Sequence, residues 1–258
     1  MDGARRLTDA GADATTLADC PIARARADSA MLSAKLRRDL GVEPIPHMTC
    51  RDRNLNATRA LLLGLSIEDI HNVLLVTGDP IPSADREKIK SVYNFNSVVL
   101  SSYIRSLGEE GALAPFHVYG ALNVNSRNFA SELRKAQRKE ESGVYGFLTQ
   151  PIVTEEAYDN LELAHETLKG HILGGIYPIV SERNAVFMNS EVAGVAIPQN
   201  VIDRYHGLDR QQGEDMAVEF AVEQAKRMMP YTSGWYLTTP FRRIELMERI
   251  LKELNAMR

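Results

Sequence analysis

The residues best suited to chemistry in this 258-residue chain follow apolar segments. Arg51-Asp52-Arg53 comes directly after a segment that ends at Cys50, and it sets two guanidinium groups at the start of a predicted helix. Guanidinium groups in such a place are suited to hold a phosphate or a carboxylate. Asp79 follows the apolar run of residues 73–76, where its carboxylate can hydrogen-bond a ligand. These positions indicate a binding site for a small molecule.

The predicted strand ends carry small, hydrogen-bonding and aromatic residues, with few charges. They are Asp19-Cys20, His47 to Cys50, Thr77 to Pro80, Tyr119 to Asn125, Thr149 to Pro151, Tyr177-Pro178 and Thr238-Thr239. This mixture is typical of a pocket for a flat heteroaromatic ligand, in which amides and carboxylates bind the ring edges. The sequence has no G-x-S-x-G motif, and its histidines lack metal-ligand spacing, so we expect neither a serine hydrolase nor a metal site.

Each position also has a purely structural interpretation. Gly78-Asp79-Pro80 fits a turn that ends a strand, and Gln150 fits a cap for the next helix. His47 fits a structural histidine, and the two cysteines fit inert apolar residues. The basic residues within 134–139 are typical of a solvent-exposed helix face. The arginine pair is less easily explained in this way.

The elements that must position these residues alternate regularly. The predicted strands cover residues 13–19, 43–49, 73–78, 117–123, 144–150, 171–180 and 234–239. A helix is predicted after each strand, with one over residues 86–107, one ended by Gly41 and others capped by Asn54 and Thr154. The alternation predicts one α/β domain over residues 1–258, with a parallel sheet. An open doubly wound sheet and a closed (β/α)8 barrel both fit. Because no G-x-G-x-x-G turn follows the first strand, we favour the TIM barrel, with seven of its eight strands in this chain.

Composition sets limits on the partners. The chain has 30 Lys+Arg and 34 Asp+Glu, a net charge of −4, which argues against nucleic acid as a partner. No apolar run approaches the roughly 18–20 residues that span a bilayer, and the first twenty residues lack the pattern of a signal peptide. With only two cysteines, we expect a reduced, cytoplasmic protein.

Several longer segments carry a family resemblance. The stretch PHMTCRDRNLNATRALLLGLSIEDIHNVLLVTGDP resembles the methylenetetrahydrofolate reductase family, and GVYGFLTQP, GGIYPIVSERNAVFMN and GWYLTTPFRRIEL extend the match. The chain looks most like the reductase half of bifunctional homocysteine methyltransferase/methylenetetrahydrofolate reductases. The similarity runs from residue 3 to about residue 254, and its motifs occur in the order expected for the family.

The resemblance implies a flavin-dependent barrel that reduces 5,10-methylenetetrahydrofolate to 5-methyltetrahydrofolate in one-carbon and methionine metabolism. The implied cofactor is FAD, with FMN as an alternative. Asp79 would be the catalytic carboxylate that also binds the pterin. The other implied contacts are His47, Thr49, Thr77, Gly78, Tyr119 and Lys139 to the cofactor, and Gln150, Phe187 and Arg242 (or Arg243) to the folate. Better-studied members have Arg-Gly-Asp where this chain has Thr77-Gly78-Asp79, so Arg51 or Arg53 would replace the lost cation.

The family's first strand carries a glutamate that acts as general acid, and no glutamate here matches it. Loss of such an acid slows a reaction by roughly 10²–10⁴-fold. We therefore consider an N-terminally truncated chain, a strand supplied by another chain, or a non-catalytic flavin- and folate-binding subunit. A folate-binding methyltransferase barrel is a further alternative. The sequence does not identify the electron donor, which would be NADH, NADPH, ferredoxin or a partner subunit. We expect an oligomer or a partner subunit because these reductases commonly associate.

Overall fold

Seven β-strands form the framework of the part of the chain that the structure describes. The computed structural model describes residues 1–191, 195–238 and 243–257. Its strands are β1 (Thr15–Leu17), β2 (Pro44–Thr49), β3 (Asn72–Val76), β4 (His117–Leu122), β5 (Val144–Pro151), β6 (His171–Ile176) and β7 (Gly234–Leu237). The sheet order follows the chain order, and the pairs β1–β2, β2–β3, β3–β4 and β6–β7 are parallel. Neighbouring parallel strands need a crossover connection, and helices supply it. The fold is α/β and of the TIM-barrel class, as the sequence predicted.

The helices that the described residues form are α1 (Asp2–Asp9), α2 (Ser29–Leu40), α3 (Leu55–Ile67), α4 (Ser97–Glu109), α5 (Phe129–Glu141), α6 (Glu155–Thr167), α7 (Glu182–Glu191), α8 (Gln199–Asp203), α9 (Arg210–Met228) and α10 (Ile244–Asn255). None of these described helices is both long enough and apolar enough to cross a membrane.

Residue packing divides the chain into two compact units. The first consists of residues 1–8, 12–121 and 138–146, and the second of residues 9–11, 122–137 and 147–258. In the first unit, Met48, Leu62, Ile70 and Leu75 are almost fully buried between strands and helices. In the second unit, the corresponding core residues include Phe147, Ile152, Leu161 and Ile176. The single domain over residues 1–258 stays a prediction.

Local sequence sets several helix ends. The Asn54 side chain accepts a hydrogen bond from the Ala57 N–H at the start of α3, and Thr154 does the same for Ala157 at the start of α6. Gly41 ends α2 with φ +64°, a left-handed conformation that glycine adopts at little cost. These three predictions are confirmed.

The helix predicted over residues 86–107 is wrong in its first half. The helix begins at Ser97, because the Asn96 side chain accepts the N–H groups of Val98 and Val99. Before it, the Val92 N–H donates to the Arg51 carbonyl at 2.7 Å, so this backbone is tied to the end of β2 instead of forming a helical turn. Short α8 is a further element that the apolar pattern did not predict.

Candidate functional site

The carboxyl ends of β1, β2 and β3 lie side by side in the first unit. Leu17 pairs with Pro46, and Thr49 pairs with Val76. The Cys50 N–H continues the ladder by donating to the Val76 carbonyl at 3.1 Å. Because parallel strands end at the same edge, the segments that follow them meet there, as in TIM-barrel active sites. These segments and the end of β2 hold seven of the site residues that the sequence predicted, namely His47, Thr49, Arg51, Arg53, Thr77, Gly78 and Asp79.

A buried carboxylate, that of Asp19, joins β1 to β2. Its Oδ2 accepts the Thr49 N–H at 3.0 Å, the Thr49 hydroxyl at 3.0 Å and the Arg53 Nη1 at 2.6 Å. Arg53 also donates from Nη2 to Asp28 at 3.0 Å. Burial alone would raise the pKa of Asp19, but the hydrogen bonds from Arg53 and from the Thr49 backbone, with the charge of Arg53, lower it. Asp19 is therefore ionised, and it fixes Thr49 at the strand end.

Arg51 is almost completely buried, with 2% of its surface exposed. It binds Asp52 through two contacts, Nε to Oδ1 at 2.8 Å and Nη2 to Oδ2 at 2.5 Å. Its Nη1 donates to the Asp79 carbonyl at 2.9 Å, and its Nη2 lies 3.5 Å from the Cys20 carbonyl. The hydrogen bond with Asp52 raises the Arg51 pKa against the opposing effect of burial. Both predicted arginines therefore bind carboxylates of the chain itself and tie its loops together.

Gly78 lets the loop after β3 pack against β2. Its φ is +92°, and a β-carbon at this position would lie 3.1 Å from the β-carbons of both Thr49 and Arg51. Thr77 and Asp79, on either side, are exposed. The Asp79 Oδ2 accepts the Ile22 N–H at 2.6 Å. The predicted Thr77-Gly78-Asp79 turn thus presents a carboxylate at the edge of the site.

His47 has a polar atom without a partner. Its Nε2 is buried and makes no hydrogen bond to the described residues. Burial lowers the His47 pKa to about 4, against the opposing charge of Asp19. The ring is therefore neutral at physiological pH, and it carries one N–H donor and one acceptor nitrogen. A neutral imidazole whose buried Nε2 has no partner among the described residues is suited to a polar atom of a bound ring.

The nearby cysteines are free thiols. Burial raises the pKa of Cys50 to about 11, so this thiol stays protonated. Within the described ranges, no group of three or more His, Cys, Asp or Glu residues could hold a metal ion.

Tyr119 and Lys139 belong to the first unit, but they contact residues of β5 and β4, respectively. Tyr119 is the third residue of β4, and its ring stands edge-on to Tyr145 with the centroids 5.7 Å apart. Tyr145 also contacts His117, the first residue of β4. This places Tyr119 towards the amino end of its strand, so its predicted cofactor contact stays a prediction. The Lys139 ammonium is buried and donates to the Ala121 carbonyl at 2.6 Å.

Apart from Asp79, the predicted folate contacts lie outside the first unit. Gln150 is near the end of β5, and a β-carbon on Gly175 would lie 2.6 Å from its carbonyl oxygen, so β6 approaches it closely. Phe187 lies on α7 with 46% of its surface exposed. Arg242 lies outside the described residues.

Sequence reasoning missed three contributors to the site: Asp28, Asp52 and Ile22. Asp28 has a local signal, since an aspartate before a helical pattern is a typical N-cap, and its Oδ1 does accept the Ala30 N–H. Its contact with Arg53 joins residues 25 positions apart, and the Ile22–Asp79 contact spans 57 positions. Contacts between residues so far apart in the sequence cannot be predicted from local sequence patterns.

Similar folds occur among solved structures. An uncharacterized protein from Clostridium thermocellum, described as binding two copies of 5-methyl-5,6,7,8-tetrahydrofolic acid, matches with a TM-score of 0.69 and 15% identity, over 100% of this chain and 87% of that one. EDTA monooxygenase (EmoA) from Chelativorans sp. BNC1 matches with a TM-score of 0.58 and 10% identity, over 99% and 85%. Long-chain alkane monooxygenase (LadA) matches with 0.57 and 11%, over 99% and 83%. At these identities, the similarity establishes the fold alone.

The search of curated proteins gave no significant match. The family model described as methylenetetrahydrofolate reductase matches residues 1–255, which is almost the whole chain. The chain therefore belongs to the methylenetetrahydrofolate reductase family.

Proposed function

We propose that this protein is a flavin-dependent reductase that converts 5,10-methylenetetrahydrofolate to 5-methyltetrahydrofolate. The observation that carries the proposal is the exposed Asp79 carboxylate, held at the carboxyl ends of β1–β3 in a chain of this family. The folate named for the Clostridium thermocellum protein, which has the same fold, supports the substrate class. The reaction would belong to one-carbon metabolism and methionine biosynthesis.

Asp79 is the proposed catalytic residue. Opening of the substrate's five-membered ring leaves a cationic iminium, and a carboxylate beside it stabilises that charge. One oxygen of Asp79 already accepts the Ile22 N–H at 2.6 Å. The second oxygen would bind the pterin, so that substrate orientation and charge stabilisation come from one side chain.

His47 is the residue best suited to contact the cofactor ring. Its buried Nε2 without a hydrogen-bond partner fits a polar atom of an isoalloxazine edge. A bound flavin supplies the hydride transfer. FAD is the proposed flavin, and FMN is the alternative, since the ring is common to both.

The remaining site residues have supporting roles in this proposal. Thr49, Thr77 and Gly78 would contact the cofactor, with Tyr119 and Lys139 as further contacts implied by the family. Gln150, Phe187 and Arg242 would bind the folate. Because Arg51 and Arg53 are engaged by carboxylates, we infer that they hold the cofactor-binding loops in place.

The proposed electron donor is NAD(P)H or a redox protein, and the proposed working form is an oligomer or a complex with a partner subunit. The free thiols Cys20 and Cys50 suit a reducing compartment, which supports a cytoplasmic location.

Flavin-binding and turnover assays on the full chain test this proposal directly. We expect purified protein to bind FAD, seen as a perturbed visible flavin spectrum, and to oxidise 5-methyltetrahydrofolate anaerobically with an artificial acceptor. Asp79→Asn should lower the turnover by roughly 10²–10³-fold, as when a charge-stabilising group is removed. Glu87→Gln, a neutralised exposed carboxylate in the same loop, is the matched control and should keep full activity.

Three outcomes contradict the proposal or one of its parts. Protein that binds neither FAD nor FMN is not a flavin enzyme. Protein that binds 5-methyltetrahydrofolate but shows no turnover with any acceptor is instead a folate-binding subunit. Turnover of Asp79→Asn equal to that of Glu87→Gln would remove Asp79 from the mechanism.

A further inference from the structure

A left-handed turn follows β1 and lies against the site. Cys20, Ile22 and Ala23 have φ values of 46°, 56° and 51°. Apart from glycine, asparagine and aspartate, residues rarely adopt this region, and for β-branched isoleucine it is a true outlier. Backbone strain of this kind persists only where other contacts hold it, and it clusters at functional sites.

Two contacts with the site residues hold this turn. The Ile22 N–H donates to the Asp79 Oδ2 at 2.6 Å, and the Arg51 Nη2 lies 3.5 Å from the Cys20 carbonyl. Arg51 also donates to the Asp79 carbonyl at 2.9 Å. The turn, the arginine and the Asp79 loop therefore form one connected unit.

This arrangement leaves the Ile22 side chain 67% exposed. Exposure of a large apolar side chain brings no burial energy, and its backbone conformation is strained in addition. Folding alone accounts for neither feature. Because the backbone N–H of Ile22 binds Asp79, a ligand that binds the Asp79 carboxylate lies within reach of the exposed Ile22 side chain.

We propose that Ile22 is a substrate-positioning residue. Its N–H fixes one oxygen of Asp79 and leaves Oδ1, which has no hydrogen bond to the described residues, for the substrate. Its side chain covers an apolar face of the flat ligand that this carboxylate binds. The proposal rests on the proposed function, since it takes the ligand to be a folate.

The inference predicts opposite effects on stability and on binding. Ile22→Gly relieves the left-handed strain and should raise the melting temperature. The same substitution removes the apolar contact and loosens the turn, so it should weaken binding of 5-methyltetrahydrofolate by tenfold or more. Ile22→Ala keeps a β-carbon and should weaken binding by about tenfold, or about 1.4 kcal/mol. In turnover, Ile22→Ala should raise KM and leave kcat within about twofold, as expected for lost uniform binding.

The experiment is calorimetric titration of the full chain with 5-methyltetrahydrofolate, together with thermal unfolding. Asp69→Gly is the matched control, because Asp69 is also left-handed, with φ 55°, but lies in the loop between α3 and β3. Its folate affinity should equal that of the wild type. A substitution with a merely structural effect would not raise the melting temperature and weaken binding together.

The outcomes separate the two proposals. Wild-type protein that does not bind the folate overturns the proposed function, and the present inference with it. If the wild-type protein binds the folate and Ile22→Ala binds it equally well, only the role of Ile22 is overturned. A lower melting temperature for Ile22→Gly would contradict the premise that the left-handed backbone at Ile22 is strained.

Discussion

The ion pair between Arg53 and Asp19 provides the sharpest test of the site's energetics. The Asp19 side chain is 3% exposed and that of Arg53 is 16% exposed, with 2.6 Å between Nη1 and Oδ2. Arg53→Met keeps the length of the side chain but removes its charge. It leaves the buried carboxylate with only its two hydrogen bonds from Thr49. Removing one partner of a buried pair costs about 3–5 kcal/mol, a large part of the 5–15 kcal/mol that typically stabilises a domain.

The effect of Arg53→Met on stability should depend on pH in a definite direction. In the wild type, burial raises the Asp19 pKa but the bonds from Arg53 and Thr49 lower it below 3.8 overall. Its contribution to stability is therefore present above pH 3.8 and is lost as the pH falls through the lowered pKa. Without Arg53, we expect burial, the largest single influence on this pKa in the wild type, to outweigh the remaining hydrogen bonds from Thr49 and to raise the pKa of Asp19 above its ordinary value. The folded variant then binds a proton at a higher pH than the unfolded chain does. The loss of unfolding free energy caused by Arg53→Met therefore becomes smaller as the pH falls from 7 towards the ordinary pKa of an aspartate.

Urea unfolding at pH 7 and at pH 4.5, followed by circular dichroism, measures both effects. The matched control is Arg249→Met, which breaks a 2.5 Å pair with Asp215 whose side chains are 42% and 54% exposed. Exposed pairs contribute about 0–1 kcal/mol, so the control should stay close to the wild type. Adding Asp19→Asn to Arg53→Met should recover part of the loss at pH 7. A cost for Arg53→Met no larger than that of the control, or a deficit that does not shrink at pH 4.5, would refute the reasoning.

Three further predictions concern single positions. The His47 pKa is lowered from 6.5 to about 4 by burial, so its contribution is present above pH 6.5 and is lost as the pH falls towards 4; His47→Gln should flatten this part of the pH profile in urea unfolding. Gly78→Ala forces a side chain into φ +92° and against Thr49 and Arg51, and should lower stability by about 2 kcal/mol in thermal unfolding; an unchanged melting temperature would contradict this. Asn54→Ala should cost about 1 kcal/mol and Asn54→Gly only a few tenths, and equal losses would rule out the capping role.

The elements that local sequence controls were predictable. Each of the seven strands lies within or close to its predicted range, because buried parallel strands read as apolar β-branched runs. The caps at Asn54 and Thr154 depend on a side chain and a backbone N–H three residues apart. By contrast, residues 86–96 have a helix-compatible sequence, but the Arg51 carbonyl takes the Val92 N–H instead. Such a competing tertiary contact cannot be read from a window of sequence.

The sequence predicted where the two arginines lie but not which residues they bind. The sequence located Arg51 and Arg53 after a strand and assigned them to an external anion. The structure gives them partners from three other segments, which hold Asp19, Asp28 and Asp79, because strand order brings the ends of β1, β2 and β3 together. Only the Arg51–Asp52 contact joins neighbours in sequence.

These pairings decide which ligand charge the first unit favours. The two arginines bind the carboxylates of Asp19, Asp28 and Asp52. The Asp79 carboxylate, whose backbone carbonyl binds Arg51, adds a fourth negative charge, so the cluster is negative and not positive. The neutral His47 ring adds no charge. Asp19 is enclosed by its hydrogen bonds, whereas Asp79 is exposed and keeps one oxygen for a ligand. Since a fixed negative charge stabilises developing positive charge beside it, this edge of the sheet is better suited to a substrate that becomes cationic than to the phosphate expected from the arginines alone.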